Sequence, residues 1–190
     1  MIDMAKVLLH ICCGPCATYP LPSLREQGHE VKGFFFNPNI HPYTEYVKRR
    51  DALYDYAQAV NLPLVGEESY DPGEYFQQIC YRENQRCLLC YKLRLEQAAR
   101  VARKGKFDFF TTTLLVSPFQ KHELIREVGE AIGERCGVPF LYQDFRQGFR
   151  STVEVSKEMG LYRQQYCGCL YSEWERYSPR KKKSLADREN

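Results

Sequence analysis

The chain has 190 residues, a net charge of +3, and 44% hydrophobic and 14% aromatic side chains. That size and apolar content imply one compact domain with a real core and exclude a disordered chain. The longest apolar runs are too short to span a bilayer and MIDMAK lacks the layout of a signal peptide, so a cytoplasmic protein is expected.

The elements follow one another in simple order. Lys6–Ile11 is an apolar first strand bounded by the Gly14-Pro15 turn. Cys16–Gln27 is the crossover helix, with Pro20 and Pro22 confining its regular part. Val31–Phe36 is a second continuous apolar run, as in a strand buried on both faces, and it breaks at Asn37-Pro38-Asn39. Helical spacing over Glu45–Val60, with Thr44 as N-cap, leads to a short third strand at Leu62–Val65. Asp71-Pro72-Gly73 opens a helix through Ile79. A cysteine-bearing helical insertion, Cys80–Cys90, then runs into a long helix through Ala102. Phe107–Leu115 is the fourth strand, Ser117-Pro118 opens the next helix, and Val138–Tyr142 is the fifth strand. Gly148–Ser178 is helical in pattern and broken at Cys167-Gly168-Cys169.

Alternation of strands and helices predicts an α/β fold, an open, mostly parallel five-stranded sheet with helices on both faces. Ligands bind beyond the carboxyl ends of such strands, so the Cys12 turn, Asn37-Pro38-Asn39 and the Leu114–Phe119 loop should converge on one crevice. Residues 1–178 read as a single catalytic domain and 179–190 as a flexible basic tail. Arg180-Lys181-Lys182-Lys183 suits phosphates, or equally a solvated tail that binds nothing in particular.

Nine cysteines in a chain without an export signal point to metal ligation or redox work rather than a disulfide scaffold. Cys80 and Cys136 have no close cysteine neighbours and read as buried small hydrophobes. The other seven form Cys12-Cys13-x-x-Cys16, Cys87-x-x-Cys90 and Cys167-x-Cys169. A C-x-x-C pair turns both sulfurs toward one metal, so two pairs supply four thiolates to zinc or to an iron–sulfur cluster. Zinc ribbons use short knuckles in a small module. Here the pairs are far apart and one follows a buried strand, which favours a working cluster. Adjacent side chains diverge if strand geometry persists, so Cys12 and Cys13 are expected to grip different irons of one cubane, or one of them to point to a second metal or the substrate. Cys12, Cys13, Cys87 and Cys90 are the preferred ligand set, with Cys16 as competitor. Cys167-x-Cys169 would close a small strained, readily reduced disulfide, or ligate metal.

Five ordered stretches, HICCGPC, FFNPNIHPYTEYVKR, RCLLCYKLRL, FTTTLLVSPFQKHELI and LYRQQYCGCLYS, run from Leu8 to Ser172. Together they resemble the epoxyqueuosine reductases of the QueH type, cobalamin-independent enzymes of the last step of queuosine formation in tRNA. The resemblance implies a nucleotide α-hydrolase-like (HUP-type) sheet, a [4Fe–4S] cluster on Cys12, Cys13, Cys87 and Cys90, and room for an additional mononuclear iron. It implies Cys167 and Cys169 as the redox-active pair. Its partners are tRNA carrying epoxyqueuosine in the anticodon loop and an unidentified electron donor. A proton donor is needed for the leaving oxygen, with His10, His41, His122, Tyr142 and Asp144 as candidates. Arg163, Lys121 and Arg49 are candidates for tRNA phosphates, and Tyr43, Tyr162 or Tyr166 for stacking on a base. Two rivals compete with this reading. An iron–sulfur tRNA-thiolating enzyme would carry an SGGxDS-type phosphate loop where this chain has CCGPCA. A non-catalytic, zinc-stabilised RNA-binding module would do no redox chemistry.

Overall fold

The computed structural model describes residues 4–66 and 69–179. Its strands, β1 (Lys6–His10), β2 (Glu30–Phe34), β3 (Leu64–Val65) and β4 (Phe109–Thr112), form one parallel sheet in the order β3-β2-β1-β4. Around it lie α1 (Gly14–Ala17), α2 (Pro20–Glu26), α3 (Tyr43–Ala59), α4 (Pro72–Ile79), α5 (Arg86–Lys104), α6 (His122–Cys136), α7 (Phe149–Glu158) and α8 (Leu170–Tyr177). β1 is flanked on both sides, and Val7, Leu8 and Leu9 are fully buried, which explains the unbroken apolar run. α5 packs against β1, β4 and α6, whereas α1 packs against α3 and α7. No helix among the described residues is long and apolar enough to cross a membrane.

The sheet has four strands rather than five. Val138–Tyr142 contributes one parallel bridge, Phe110 to Phe140, through Phe110 N–H to Pro139 O (3.2 Å) and Leu141 N–H to Phe110 O (2.8 Å). The preceding rung would need an N–H from residue 139, which is proline and has none. β4 stops at Thr112, whose hydroxyl accepts the Leu114 N–H at 3.2 Å and turns Thr113–Val116 into a 3₁₀ helix. The first crossover is two helices, α1 and α2, with Pro15 and Pro20 each in the first turn of its own helix. α3 begins at Tyr43 behind Pro42, so Thr44 lies inside it and is not its cap. α6 begins at His122 because Ser117 stays extended and its hydroxyl accepts the Phe119 N–H at 3.3 Å. Arg180-Lys181-Lys182-Lys183 and the rest of the basic tail lie outside the described residues.

Chain order makes β2 and β3 spread to one side of β1 and β4 to the other. The topological switch point is therefore the gap beyond the ends of β1 and β4. α1 reaches that gap only by touching α3 backbone to backbone. A Cβ on Gly14 would sit 2.2 Å from Ala52 O, a carbonyl that cannot rotate away. Gly14→Ala should thus cost about 2–3 kcal/mol of stability, read as a lower denaturation midpoint.

Candidate functional site

The loops beyond β1, β2 and β4 meet as their positions in the sheet require. Cys12 N–H donates to Thr113 Oγ1 at 3.2 Å, and Asn37 Nδ2 donates to Ile11 O at 2.9 Å. The sulfurs of Cys12, Cys13 and Cys16 lie within 4.8 Å of one another. Cys12 and Cys13 do not diverge: their sulfurs are 3.8 Å apart, because β1 ends at His10 and the chain bends at Cys12 before strand geometry reaches them. Gln164 spans the triad, its Oε1 accepting from Cys13 at 3.1 Å and its Nε2 donating to Cys16 Sγ at 3.2 Å. Hydrogen bonds from Cys13 and Cys16, with lesser help from Thr113 and Arg94, hold the Cys12 thiol well below its usual range despite burial. Burial and the neighbouring Cys12 push Cys13 up, and Cys16 rises chiefly through its hydrogen bond to Cys12.

A second group of thiols lines one pocket. Cys87, Cys90, Tyr91 and Arg94 share a face of α5, and Cys167, Cys169, Asn39, Tyr75 and Arg86 complete the walls. Cys90 and Cys169 are buried, Cys87 is half-buried and Cys167 is exposed. Burial pushes the Cys90 thiol up to about 12. The structure thus gathers Cys12, Cys13 and Cys16 in one place and Cys87, Cys90, Cys167 and Cys169 in another, with Arg94 facing sulfurs of both. Several buried polar atoms on the pocket wall have no partner: Arg94 Nη2, Tyr75 OH, and Asn39 Nδ2 and Oδ1. All nine cysteines are free thiols, so Cys167 and Cys169 form a dithiol with no disulfide between them. Cys80 is exposed and Cys136 half-buried, so neither is the fully buried hydrophobe its isolation suggests.

Residues 161–169 lie outside helix and sheet and are held by side chains of α3 and its N-terminal turn. Arg49 pairs with Glu45 at 2.7 Å and donates to the carbonyls of Cys167 and Tyr166, both at 2.9 Å. Tyr162 OH donates to the second Glu45 oxygen at 2.5 Å, and Tyr166 OH to His41 O at 2.5 Å. Gly168 has φ +137, and a Cβ there would lie 3.1 Å from Arg49 Nη1 and 3.2 Å from Ile40. The backbone conformation favours glycine between the two cysteines, and a side chain there would also have to push Arg49 and Ile40 back slightly. Gln120, missed in the sequence, accepts from Tyr91 OH at 2.8 Å and donates to Cys167 Sγ at 3.4 Å.

Several sequence candidates are engaged in contacts within the protein. Arg49 is buried and fully spent inside the protein, not free for phosphate, and the Tyr162 and Tyr166 hydroxyls are engaged beside it. His10 is fully buried between Thr112 Oγ1 (2.9 Å) and Phe36 O (3.1 Å), with burial holding its ring near a pKa of about 4. His122 Nε2 meets Ser117 O at 3.0 Å, Tyr142 packs under Arg126, and the Arg146 hydrogen bond pulls Asp144 down to about 2. Arg94, Tyr75, Thr113 and Gln164 also escaped the sequence. Only Arg94 carried a signal, a charge seven residues after Cys87 on an otherwise apolar face.

His41 supplies a pH dependence. It is 6% exposed, its Nδ1 accepts from Leu170 N–H at 3.4 Å, and burial lowers its pKa from 6.5 to about 4. The unfolded chain takes up this proton first on acidification, so the stabilisation is complete above pH 6.5 and is lost as pH falls toward 4. The loss is on the order of 3 kcal/mol at most. His41→Asn should flatten that limb in denaturation midpoints measured from pH 7 to 4, leaving the share due to His10.

The comparisons agree with this architecture. A profile of the family described as "Epoxyqueuosine reductase QueH" matches residues 7–175. The chain is 38% identical over 172 residues to the epoxyqueuosine reductase QueH of Dehalococcoides mccartyi, covering 90% of this chain and 94% of that protein. It is 38% identical over 182 residues to the enzyme of the same name from Thermotoga maritima, covering 91% and 93%. Among solved structures, a predicted subunit of tRNA methyltransferase from Methanocaldococcus jannaschii superposes with a TM-score of 0.54 at 11% identity, covering 82% of this chain and 75% of that one. That likeness concerns the fold alone. Profile and relatives span nearly the whole described chain, and the chain belongs to the epoxyqueuosine reductase QueH family.

Proposed function

We propose that the chain converts epoxyqueuosine at the wobble position of tRNA to queuosine by two-electron reductive deoxygenation, on a nucleotide α-hydrolase-like sheet that carries a [4Fe–4S] cluster. The family match over residues 7–175 carries this reading. In the reaction both epoxide C–O bonds break, a C=C bond forms, and oxygen leaves as water after taking two electrons and two protons. A dithiol closing to a disulfide releases two electrons and two protons, so Cys167 and Cys169 balance the step. Cys167 is exposed at the pocket mouth, where substrate can reach it; desolvation by the pocket walls raises its thiol pKa, and Arg94 and the Gln120 amide offset part of that rise.

The residues fit a metallocluster. Soft thiols converge from distant segments, and the unpartnered donors of Arg94, Tyr75 and Asn39 line the same walls, as an anionic inorganic group would require. Cys12, Cys13, Cys87 and Cys90 would hold it, with Cys16 in reach of the first two as the alternative ligand. When bound, a cluster supplies single electrons at a potential set by burial and hydrogen bonding, and an additional mononuclear iron would supply a Lewis acid for the oxygen. Thr113 and Gln164 orient the N-terminal thiols, while Arg49 and Gly168 fix the dithiol backbone. A cytoplasmic location keeps the exposed thiol reduced, and an electron donor must reduce the disulfide after each turnover.

Anaerobically reconstituted protein, given a reductant, should turn epoxyqueuosine in tRNA into queuosine without cobalamin or ATP, as read by nucleoside mass spectrometry. An unchanged epoxide despite a full, reducible cluster would refute the proposal. Cys167→Ser should leave iron content and cluster absorbance intact and lower turnover by at least about tenfold. Loss of iron in that variant would make Cys167 a ligand instead.

A further inference from the structure

Arg49 and Arg94 are both 1% exposed, the bulkiest of the fully buried side chains, and their surroundings differ in kind. Arg49 meets a carboxylate and two carbonyls. Arg94 meets no carboxylate among the described residues. Its hydrogen-bond contacts are long, Nε to Cys90 O at 3.4 Å and Nη1 to Asn37 Oδ1 at 3.5 Å, and Nη2 has none. A guanidinium taken out of water in this way is strongly disfavoured unless an anion faces it. Beyond the Tyr91 ring, 6.0 Å from its guanidinium carbon, the ionisable groups in the field of Arg94 are sulfurs: it lines the pocket with Cys87, Cys90, Cys167 and Cys169, and Cys12 also contributes.

We propose that Arg94 is the buried counter-cation of the metallocentre, a positioning residue whose fixed charge raises the reduction potential of the cluster held by the surrounding cysteines. The inference rests on the cluster reading above. Four thiolates leave a [4Fe–4S] core with net negative charge, and reduction adds one more. A positive charge nearby, in a medium of low polarisability, stabilises the reduced form more than the oxidised one. Arginine keeps its proton at any pH the protein tolerates, so the bias does not titrate away. Because Cys12, Cys90 and Cys167 all lie in the field of Arg94, the effect does not depend on whether Cys16 is a ligand. Helical spacing enforces the arrangement: Cys87, Cys90 and Arg94 stand at i, i+3 and i+7 of α5.

The test uses the full chain, reconstituted anaerobically with iron and sulfide, as wild type, Arg94→Met and Arg94→Lys, followed by a potentiometric titration read by electron paramagnetic resonance. Arg94→Met should lower the midpoint by at least about 59 mV, a tenfold change in a one-electron equilibrium, with most of the loss restored in Arg94→Lys. Metal-free Arg94→Met should unfold at the same or a higher denaturant concentration than metal-free wild type, since it no longer buries an unpaired charge. Loss of cluster uptake in Arg94→Met with retention in Arg94→Lys would also support the assignment. Equal midpoints in wild type and Arg94→Met would overturn it, as would loss of the cluster in both variants. A metal-free Arg94→Met much less stable than wild type would assign the side chain to packing. Wild type that takes up no iron and sulfide would sink the cluster reading, and this inference with it.

Discussion

A guanidinium group is costly to bury unless its charge and its N–H donors are met there, and this fold buries two. Arg49 draws in a carboxylate from its own helix and two backbone carbonyls from a segment over a hundred residues away. That segment has no ladder or helix of its own to satisfy its carbonyls, so the side chain from α3 takes over the role that secondary structure plays elsewhere. Arg94 lines the thiol pocket instead, with Cys87, Cys90, Cys167 and Cys169. One cation therefore organises the backbone of the dithiol, and the other sets the electrostatic character of the space the thiols enclose.

Sheet connectivity determines where this happens. With β2 and β3 on one side of β1 and β4 on the other, the chain leaves β1 and β4 in opposite directions and opens a gap between their ends. Cys12 and Thr113 face each other across that gap through two hydrogen bonds. In a nucleotide-activating enzyme of similar shape the same place would cradle phosphate with backbone amides. Here the first residues past β1 are thiols, and a short helix packed backbone to backbone on α3 brings a third thiol beside them.

The parts of the molecule most legible in the sequence were those governed by nearest neighbours. Continuous apolar runs gave away strands covered on both faces, and Asp71 was a correct helix start because its side chain reaches only two residues on, to Gly73 N–H at 2.8 Å. Thr44 and Ser117 looked like equally good starts. They failed because the entry to α3 is fixed at Pro42 and because Ser117 stays extended with its hydroxyl taken by the Phe119 N–H. The fifth strand failed at a single missing N–H on Pro139. Among the cysteines, spacing found the clusters but not how they group, since the meeting of residues 90 and 169 on one pocket wall is a fact of tertiary structure. Gln120 and Gln164 are ordinary polar residues in loops, and nothing local distinguishes them.

The segment from residue 161 to 169 carries both cysteines of the dithiol and, through Gln164, also touches Cys13 and Cys16. It is fastened by a small number of side-chain hydrogen bonds to α3 and the turn before it, not by burial of a helix face. Release of this segment would part Gln164 from Cys13 and Cys16 and uncover the dithiol while the sheet ladder, which uses none of these bonds, stays intact.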